Sequence, residues 1–219
     1  MRRFVVAAAV ILLLPAAAVA AVPSARDAVL EALGIQGVKI LRTPEVVPLS
    51  PGRRLDLGQR LPTASAASRV TFQVVAPDTG VLGAPEEVYY RPSPPGGALS
   101  FVYRVRAGIP RSPLTRRGLV LTQFQGTDAS LFAAKFVGAG TSVETVRVLG
   151  ERGVWLAGRP HQFGYVDVRG RTRTEKLRLA GNTLLWQRGR LTLRLEGAIS
   201  KVAALRIAGT VTPLTDQLP

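Results

Sequence analysis

Residues with catalytic or metal-binding capacity are few in this sequence. The 219-residue chain contains one histidine, His161, and no cysteine. A histidine can act as a general base or as a metal ligand. A protein zinc site, however, combines three or four His, Cys or carboxylate ligands. Because no second histidine or cysteine exists, we interpret His161, which follows a Gly-Arg-Pro turn, as a turn residue and predict no metal site.

Three other short patterns contain residue types that can do chemistry. Glu86 and Glu87 are adjacent in a predicted strand, so their side chains point to opposite faces and do not form an acid–base pair. Ser200-Lys201 has no familiar nucleophile–base spacing, and Ser200 is better placed as a helix cap. Gly138-Ala139-Gly140 lacks the strand–loop–helix context and the lysine of a phosphate-binding loop. We therefore expect no catalytic residue, no cofactor and no enzymatic activity.

The net charge of the chain is +15 at pH 7, and 25 of its 29 basic residues are arginine. Such a charge favours acidic partners, for example lipid headgroups or anionic envelope polymers. An arginine-rich composition is also typical of a GC-rich genome, in which case it carries no functional meaning. The arginines are spread along the sequence and form no basic stripe interleaved with aromatics. We therefore predict no nucleic-acid partner.

The N-terminus carries an uncharged apolar run from Phe4 to Val22, centred on Leu13 and preceded by Arg2-Arg3. Its length suffices for a helix that spans a bilayer. The flanking arginines favour a cytoplasmic N-terminus, which places the rest of the chain outside the cytoplasm. The alternative is a secretory signal peptide cleaved after Ala20, which gives a secreted protein. Both interpretations predict an extracytoplasmic domain.

The composition along the whole chain predicts four segments. Residues 1–22 form the membrane anchor or signal segment. Residues 23–60 contain a short amphipathic helix that ends at Gly34, followed by a linker rich in proline and glycine. Residues 61–212 form the extracytoplasmic domain, and residues 213–219 form a C-terminal tail.

The clearest structural pattern runs from Asn182 to Val211. Two apolar stretches flank the polar turn Gln187–Arg190, which predicts a β-hairpin. Residues 191–196 alternate between leucine and polar side chains, the period of a strand with one buried and one exposed face. Ser200 then caps a predicted amphipathic helix that extends to Val211. The helix is expected to cover the apolar face of the hairpin.

Further elements follow from the same kind of pattern. Leu99, Phe101, Tyr103 and Val105 alternate with more polar residues and predict another strand. Helices are predicted over 62–68 and, with Asp128 as its cap, over 129–137. The other predicted strands cover residues 38–41, 70–75, 86–91, 119–124, 142–149, 153–157 and 162–168. The expected fold class is α+β, a mostly antiparallel sheet covered on one face by two or three helices.

Aromatic side chains cluster on the predicted strands. Their ordinary role is packing in the core. The alternative is a concave aromatic face that holds an apolar, lipid-like ligand, as in bacterial lipoprotein carriers. The residues of this candidate face are Phe101, Tyr103, Phe124, Phe163, Tyr165 and Trp186.

Several stretches together resemble a bacterial family. They are the apolar run with Val22–Leu30, then Pro85–Tyr89, Leu99–Arg104, Leu119–Gly126, and the closing hairpin and helix with Trp186, Leu195–Gly197 and Ala204–Ala208. This pattern is similar to the extracytoplasmic C-terminal domain of membrane-anchored anti-sigma factors and to related lipoprotein and sporulation-associated domains of unknown function. The resemblance implies a sensor or interaction domain of the cell envelope without catalytic activity.

One departure from that family concerns the cytoplasmic side. Anti-sigma factors bind their sigma factor through a helical cytoplasmic domain, whereas only three residues precede Phe4 in this sequence. We expect either a stand-alone outer domain or a start that lies upstream. The expected partners are the membrane, through the N-terminal helix, and a protein or an anionic envelope polymer. The competing function is a secreted or anchored carrier of an apolar ligand.

Overall fold

A computed structural model describes residues 38–42, 57–125, 133–137, 141–158, 162–166, 172–174 and 181–217. The chain divides into two compact units, Met1–Leu33 and Gly34–Pro219, and every described residue belongs to the second. The predicted span Phe4–Val22, with Leu13, and the predicted amphipathic helix after it lie outside the described residues. In the described part of the chain, no helix has the length and apolar character needed to span a bilayer.

The described elements are mostly short strands. In chain order they are β1 (Val38–Arg42), β2 (Gln59–Arg60), α1 (Thr63–Ala67), β3 (Val75–Pro77), α2 (Thr79–Leu82), β4 (Glu87–Arg91), β5 (Ala98–Tyr103), β6 (Leu119–Gln125), β7 (Ala133–Val137), β8 (Thr141–Val148), β9 (Glu151–Gly158), β10 (Gln162–Val166), β11 (Thr172–Thr174), β12 (Asn182–Arg188), β13 (Leu191–Gly197), α3 (Lys201–Ala208), β14 (Val211–Pro213) and a 3-10 helix (Leu214–Gln217).

The described strands form three sheets. The largest has eight strands in the order β2-β4-β5-β6-β13-β12-β9-β8, and all its neighbours are antiparallel. A four-stranded sheet has the order β1-β7-β10-β11 with β1 and β7 parallel, and β14 pairs with β3 in a two-stranded sheet. The prediction of a mostly antiparallel α+β arrangement with few helices is confirmed.

The hairpin β12–β13 and the helix after it are confirmed. Gly189 occupies the two-residue turn with φ 58°, a conformation that favours glycine. The Ser200 hydroxyl accepts a hydrogen bond from the Ala203 amide at 3.2 Å and so caps α3. The helix ends earlier than predicted, at Ala208, and Val211 begins β14 instead.

One face of the eight-stranded sheet packs against α3, and we call it the helix-covered face. Phe101, Leu121, Leu195 and Leu184 lie in one row across this face, opposite one another on successive strands. Directly opposed residues of antiparallel strands point to the same side. The same apolar cluster includes Ala204 and Ile207 of α3. The helix therefore buries the apolar side of the hairpin, as predicted.

Strand β13 differs from its predicted burial. The alternation of leucines with polar residues predicts one exposed face, but all seven residues of β13 are buried. The strand lies between β6 and β12 in the middle of the sheet. Burial of its two faces depends on what packs on them, and alternation alone does not report that.

Two other local predictions are wrong. The segment 129–137, with its predicted capped helix, contains β7 over Ala133–Val137, which pairs with β1 and β10. In the predicted strand 70–75, strand pairing begins only at Val75. Both segments depend on partners distant in sequence, which override local propensity.

Candidate functional site

The six aromatic residues of the predicted ligand face occupy three places. Phe101, Tyr103 and Trp186 are buried and point to the helix-covered face. Phe124 is also buried, but it is paired with Ala98 and Thr192 on the neighbouring strands and points to the opposite face. Phe163 and Tyr165 belong to β10, in the four-stranded sheet. The eight-stranded sheet therefore brings three of the six together.

Tyr103 stands out among these three. Its side chain is 1% exposed, and within the described residues its hydroxyl has no hydrogen-bond partner. Burial raises the pKa of Tyr103 because the phenolate would lose its hydration, while the positive charge of Arg106 acts weakly in the other direction. The helix-covered face thus contains a neutral donor and acceptor without a partner among the described residues, whereas Gln123 on the same face is hydrogen-bonded to the Val75 backbone. Such a group can orient an apolar ligand that carries one polar atom.

The opposite face of the eight-stranded sheet carries a row of polar side chains. Ser100, Thr122 and Arg194 are opposite one another on β5, β6 and β13. The Ser100 and Thr122 hydroxyl oxygens are 2.9 Å apart. Glu196 lies two positions after Arg194, on the same face. Ser100, Arg194 and Glu196 are buried and Thr122 is half-buried, so this polar row crosses the middle of the sheet, where apolar residues are the norm.

Arg194 and Glu196 form a buried ion pair. Arg194 Nε contacts Glu196 Oε1, and each side chain is 2% exposed. Removing two charges from water is costly, and the cost is recovered only through close pairing. The two groups therefore neutralise each other within the sheet.

Sequence reasoning missed this pair because it assigned Thr192, Arg194 and Glu196 to a solvent-exposed face. The only available indication was the spacing, since residues two apart on a strand share a face and opposite charges there can pair. That spacing is equally common on exposed strands. The burial depends on tertiary packing, which the local sequence does not contain.

A second charged group lies at the strand β4 side of the sheet. Glu87 forms an ion pair with Arg117 at 3.2 Å and accepts a hydrogen bond from the Tyr89 hydroxyl at 3.2 Å. Arg60 lies 3.9 Å from the same carboxylate. Partial burial, followed by the negative charge of Glu87, raises the pKa of Tyr89. The neighbouring Glu86 pairs instead with Arg104, at 3.8 Å.

The remaining residues considered for chemistry have other places. Lys201 forms an ion pair with Glu144 at 2.7 Å, and Ser200 caps α3. His161 and Gly138-Ala139-Gly140 lie outside the described residues. Within the described ranges, no group of three His, Cys, Asp or Glu side chains could hold a metal ion.

Comparison with known protein families, with curated proteins and with solved structures finds no match for this chain. Two features of the described residues bear on function: four glutamates form ion pairs, and the buried Tyr103 hydroxyl has no hydrogen-bond partner among these residues.

Proposed function

We propose that this chain is a non-catalytic, membrane-anchored binding domain that acts outside the cytoplasm, similar in role to the outer half of an anti-sigma factor. The observation that carries the proposal is the engagement of the described carboxylates. Asp78 caps α2 through the Gly80 amide, at 2.6 Å. Glu86, Glu87, Glu144 and Glu196 each form an ion pair with a basic residue.

An acid–base catalyst needs a carboxylate or imidazole placed to reach a substrate proton. Carboxylates that hold strands and helices together are poorly suited to that task. Glu151, the remaining carboxylate of the described side chains, is exposed at a hairpin turn and has no second titratable acid beside it on the same strand. This distribution supports a rigid scaffold that binds through its surface.

The membrane anchor in this proposal is the run Phe4–Val22, oriented by Arg2-Arg3. Protease treatment of intact spheroplasts that express the full chain with a C-terminal epitope tag tests it. The tagged domain should be degraded without permeabilisation, while a cytosolic control protein stays intact. A domain that is digested only after permeabilisation contradicts the proposal. The mass of the chain purified from cells without protease treatment decides between a retained anchor and cleavage after Ala20.

A second candidate function is favoured by one observation. The buried Tyr103 hydroxyl shares a face with Phe101 and Trp186, which fits a carrier of an apolar ligand with one polar atom. Native mass spectrometry of the full chain, released from detergent in the gas phase, is the test. If the chain is a carrier, its mass should include a bound ligand, and Tyr103→Phe should reduce the fraction of chains that retain this ligand. Absence of any added mass in the native chain contradicts this function.

A further inference from the structure

The fold brings two hairpin turns to the same end of the eight-stranded sheet. Leu149-Gly150 connects β8 to β9, and Gly189-Arg190 connects β12 to β13. In the antiparallel pair of β12 and β9, Trp186 lies opposite Gly153. The end of β12 therefore lies beside the start of β9, and the two turns are neighbours. We call Arg147, Leu149, Arg152, Arg188 and Arg190 the hairpin-turn surface.

The four arginines of the hairpin-turn surface are all exposed. Arg147 Nη1 donates to the Gly150 carbonyl oxygen at 2.7 Å, and Arg188 donates to the Val211 carbonyl oxygen. Within the described part of the chain, none of the four forms an ion pair with a carboxylate. Their one acidic neighbour on these turns is Glu151.

The other end of the same sheet is also rich in arginine, and there two glutamates take part in ion pairs. Arg104 and Arg117 form ion pairs with Glu86 and Glu87. The hairpin-turn surface therefore carries four exposed arginines and one glutamate, a local excess of positive charge. Unpaired exposed arginines attract phosphate groups, which they bind in a bidentate manner.

Two arginines of the hairpin-turn surface face each other across the β8–β9 hairpin. Arg147 lies directly opposite Arg152, so two like charges share one face of the hairpin. Like charges in that arrangement destabilise a hairpin. An anionic ligand that lies over both guanidinium groups removes the repulsion.

Leu149 occupies the apex of the β8–β9 turn. Its side chain is 78% exposed and its φ is 49°, in the left-handed region that favours glycine, asparagine and aspartate. Gly150 also has a positive φ, 88°, so both turn positions have the signs of a type I′ turn. A leucine is unfavourable here both for its backbone conformation and for its exposure. Residues that break local rules in this way point to a functional use.

We propose that the hairpin-turn surface docks on a bilayer of acidic phospholipids. Leu149 enters the headgroup layer at the apex of the turn, and the four arginines bind the lipid phosphates around it. An apolar apex ringed by cations matches the two layers of an anionic membrane, apolar below and charged above. A polysaccharide or a nucleic acid offers the charge but no apolar layer for the leucine. Docking of the hairpin-turn surface is independent of the predicted anchor. The docking can therefore be absent in a chain that is nevertheless anchored and faces outward.

The native chain has no cysteine, so Leu149→Cys provides a single site for an environment-sensitive nitrobenzoxadiazole dye. The matched control is Val202→Cys, since Val202 is 75% exposed near the start of α3, which follows the opposite end of β13. The full chain is reconstituted in nanodiscs of phosphatidylcholine with or without phosphatidylglycerol. Spin-labelled lipids in the same nanodiscs report whether the dye contacts the bilayer.

Docking predicts severalfold stronger quenching at position 149 than at 202 in acidic nanodiscs, and little quenching at either in neutral ones. The pair Arg147→Gln and Arg152→Gln should reduce quenching at 149, and so should added salt, which screens charges beyond about 10 Å at 0.1 M. Equal quenching at the two positions, or at 149 in both lipid compositions, overturns the proposal. A spectral shift of the dye without lipid quenching indicates a protein contact and overturns it as well.

A measurement without the dye uses Leu149→Asn, which suits the turn and removes the apolar apex. Hydrogen exchange of the amides around residues 147–152 should slow severalfold when the native chain moves from neutral to acidic nanodiscs. The Leu149→Asn variant should lose most of that protection. Unchanged exchange of the native chain between the two lipids contradicts docking.

Discussion

Arg194 and Glu196 lie two positions apart on the central strand β13 and pair with each other on one buried face of the sheet. Neither charge faces water, so each side chain depends on the other for compensation of its charge. Replacing one of the two residues leaves the other charge buried and uncompensated, whereas replacing both removes the two charges together. The two kinds of variant should therefore differ in their free energy of unfolding.

Glu196→Gln should lower the free energy of unfolding by about 3–5 kcal/mol, because the guanidinium stays buried without its carboxylate. Arg194→Met combined with Glu196→Leu should cost less than the single change, since no buried charge remains. Urea denaturation of the full chain in detergent measures both. A double variant that is less stable than Glu196→Gln would contradict this account of the pair.

Tyr103→Phe should leave the chain as stable as before or stabilise it by up to about 1 kcal/mol, because the hydroxyl is buried without a partner among the described residues. Tyr89→Phe is the matched control. Its hydroxyl donates to Glu87, so its loss should cost about 0.5–1.5 kcal/mol. Thermal unfolding of both variants decides, and a clear loss in Tyr103→Phe indicates a hydrogen bond in the native protein.

Alkaline pH should destabilise the fold. The pKa of Tyr103 is raised above its ordinary value of 10.0, so the neutral phenol is favoured in the folded state. Its contribution is complete below pH 10 and is lost as the pH rises above 10, where the unfolded chain ionises first. Unfolding midpoints measured from about pH 9 upward should therefore fall, and Tyr103→Phe should flatten that fall. Parallel curves for the two proteins would rule out this linkage.

Leu149→Asn should raise the free energy of unfolding by about 1 kcal/mol in the absence of lipid, because asparagine accepts the left-handed conformation that costs leucine about 1–2 kcal/mol. Val202→Asn, at an equally exposed helical position, should give no gain because valine and asparagine have similar helix propensities. Thermal melts of the two variants provide the comparison. A loss of stability in Leu149→Asn would show that the leucine has a packing role.

Ser200→Ala should cost about 0.5–2 kcal/mol, because it removes the hydroxyl that accepts the Ala203 amide at the start of α3. Ser200→Asp keeps an acceptor and adds a favourable charge at the helix start, so it should preserve stability. Chemical denaturation of the pair is sufficient. Equal losses in both variants would assign the effect of Ser200 to something other than capping.

Local features of this fold were readable from the sequence. The alternation of Leu191, Leu193 and Leu195 with polar residues, the glycine-containing turn before them and the cap at Ser200 specify a hairpin followed by a helix. Each depends on neighbours within a few positions, where backbone geometry and hydrogen bonding act directly. The mostly antiparallel arrangement follows from many short strands without intervening crossover helices.

Strand order was not readable, and most of the site depends on it. The sequence pattern placed Arg194 and Glu196 in water, whereas in the folded sheet, where β13 pairs with β6 and β12, both are buried. Long-range pairing also decides the segment that was predicted to be a helix ending at Val137. Part of it forms β7, which pairs with β1 and β10. Pairing between distant strands depends on side-chain packing across the whole sheet, which local propensity does not encode.

The chemistry of the surface divides in the same way. Composition alone determined that the chain is strongly basic and has one histidine and no cysteine, since charge and residue counts do not depend on folding. Only the tertiary structure decided which arginines are paired and which are open, because it places Arg147 beside Arg152 at one end of the sheet and Arg117 beside Glu87 at the other. Charges scattered along a sequence become a surface only when antiparallel pairing brings distant turns to the same end.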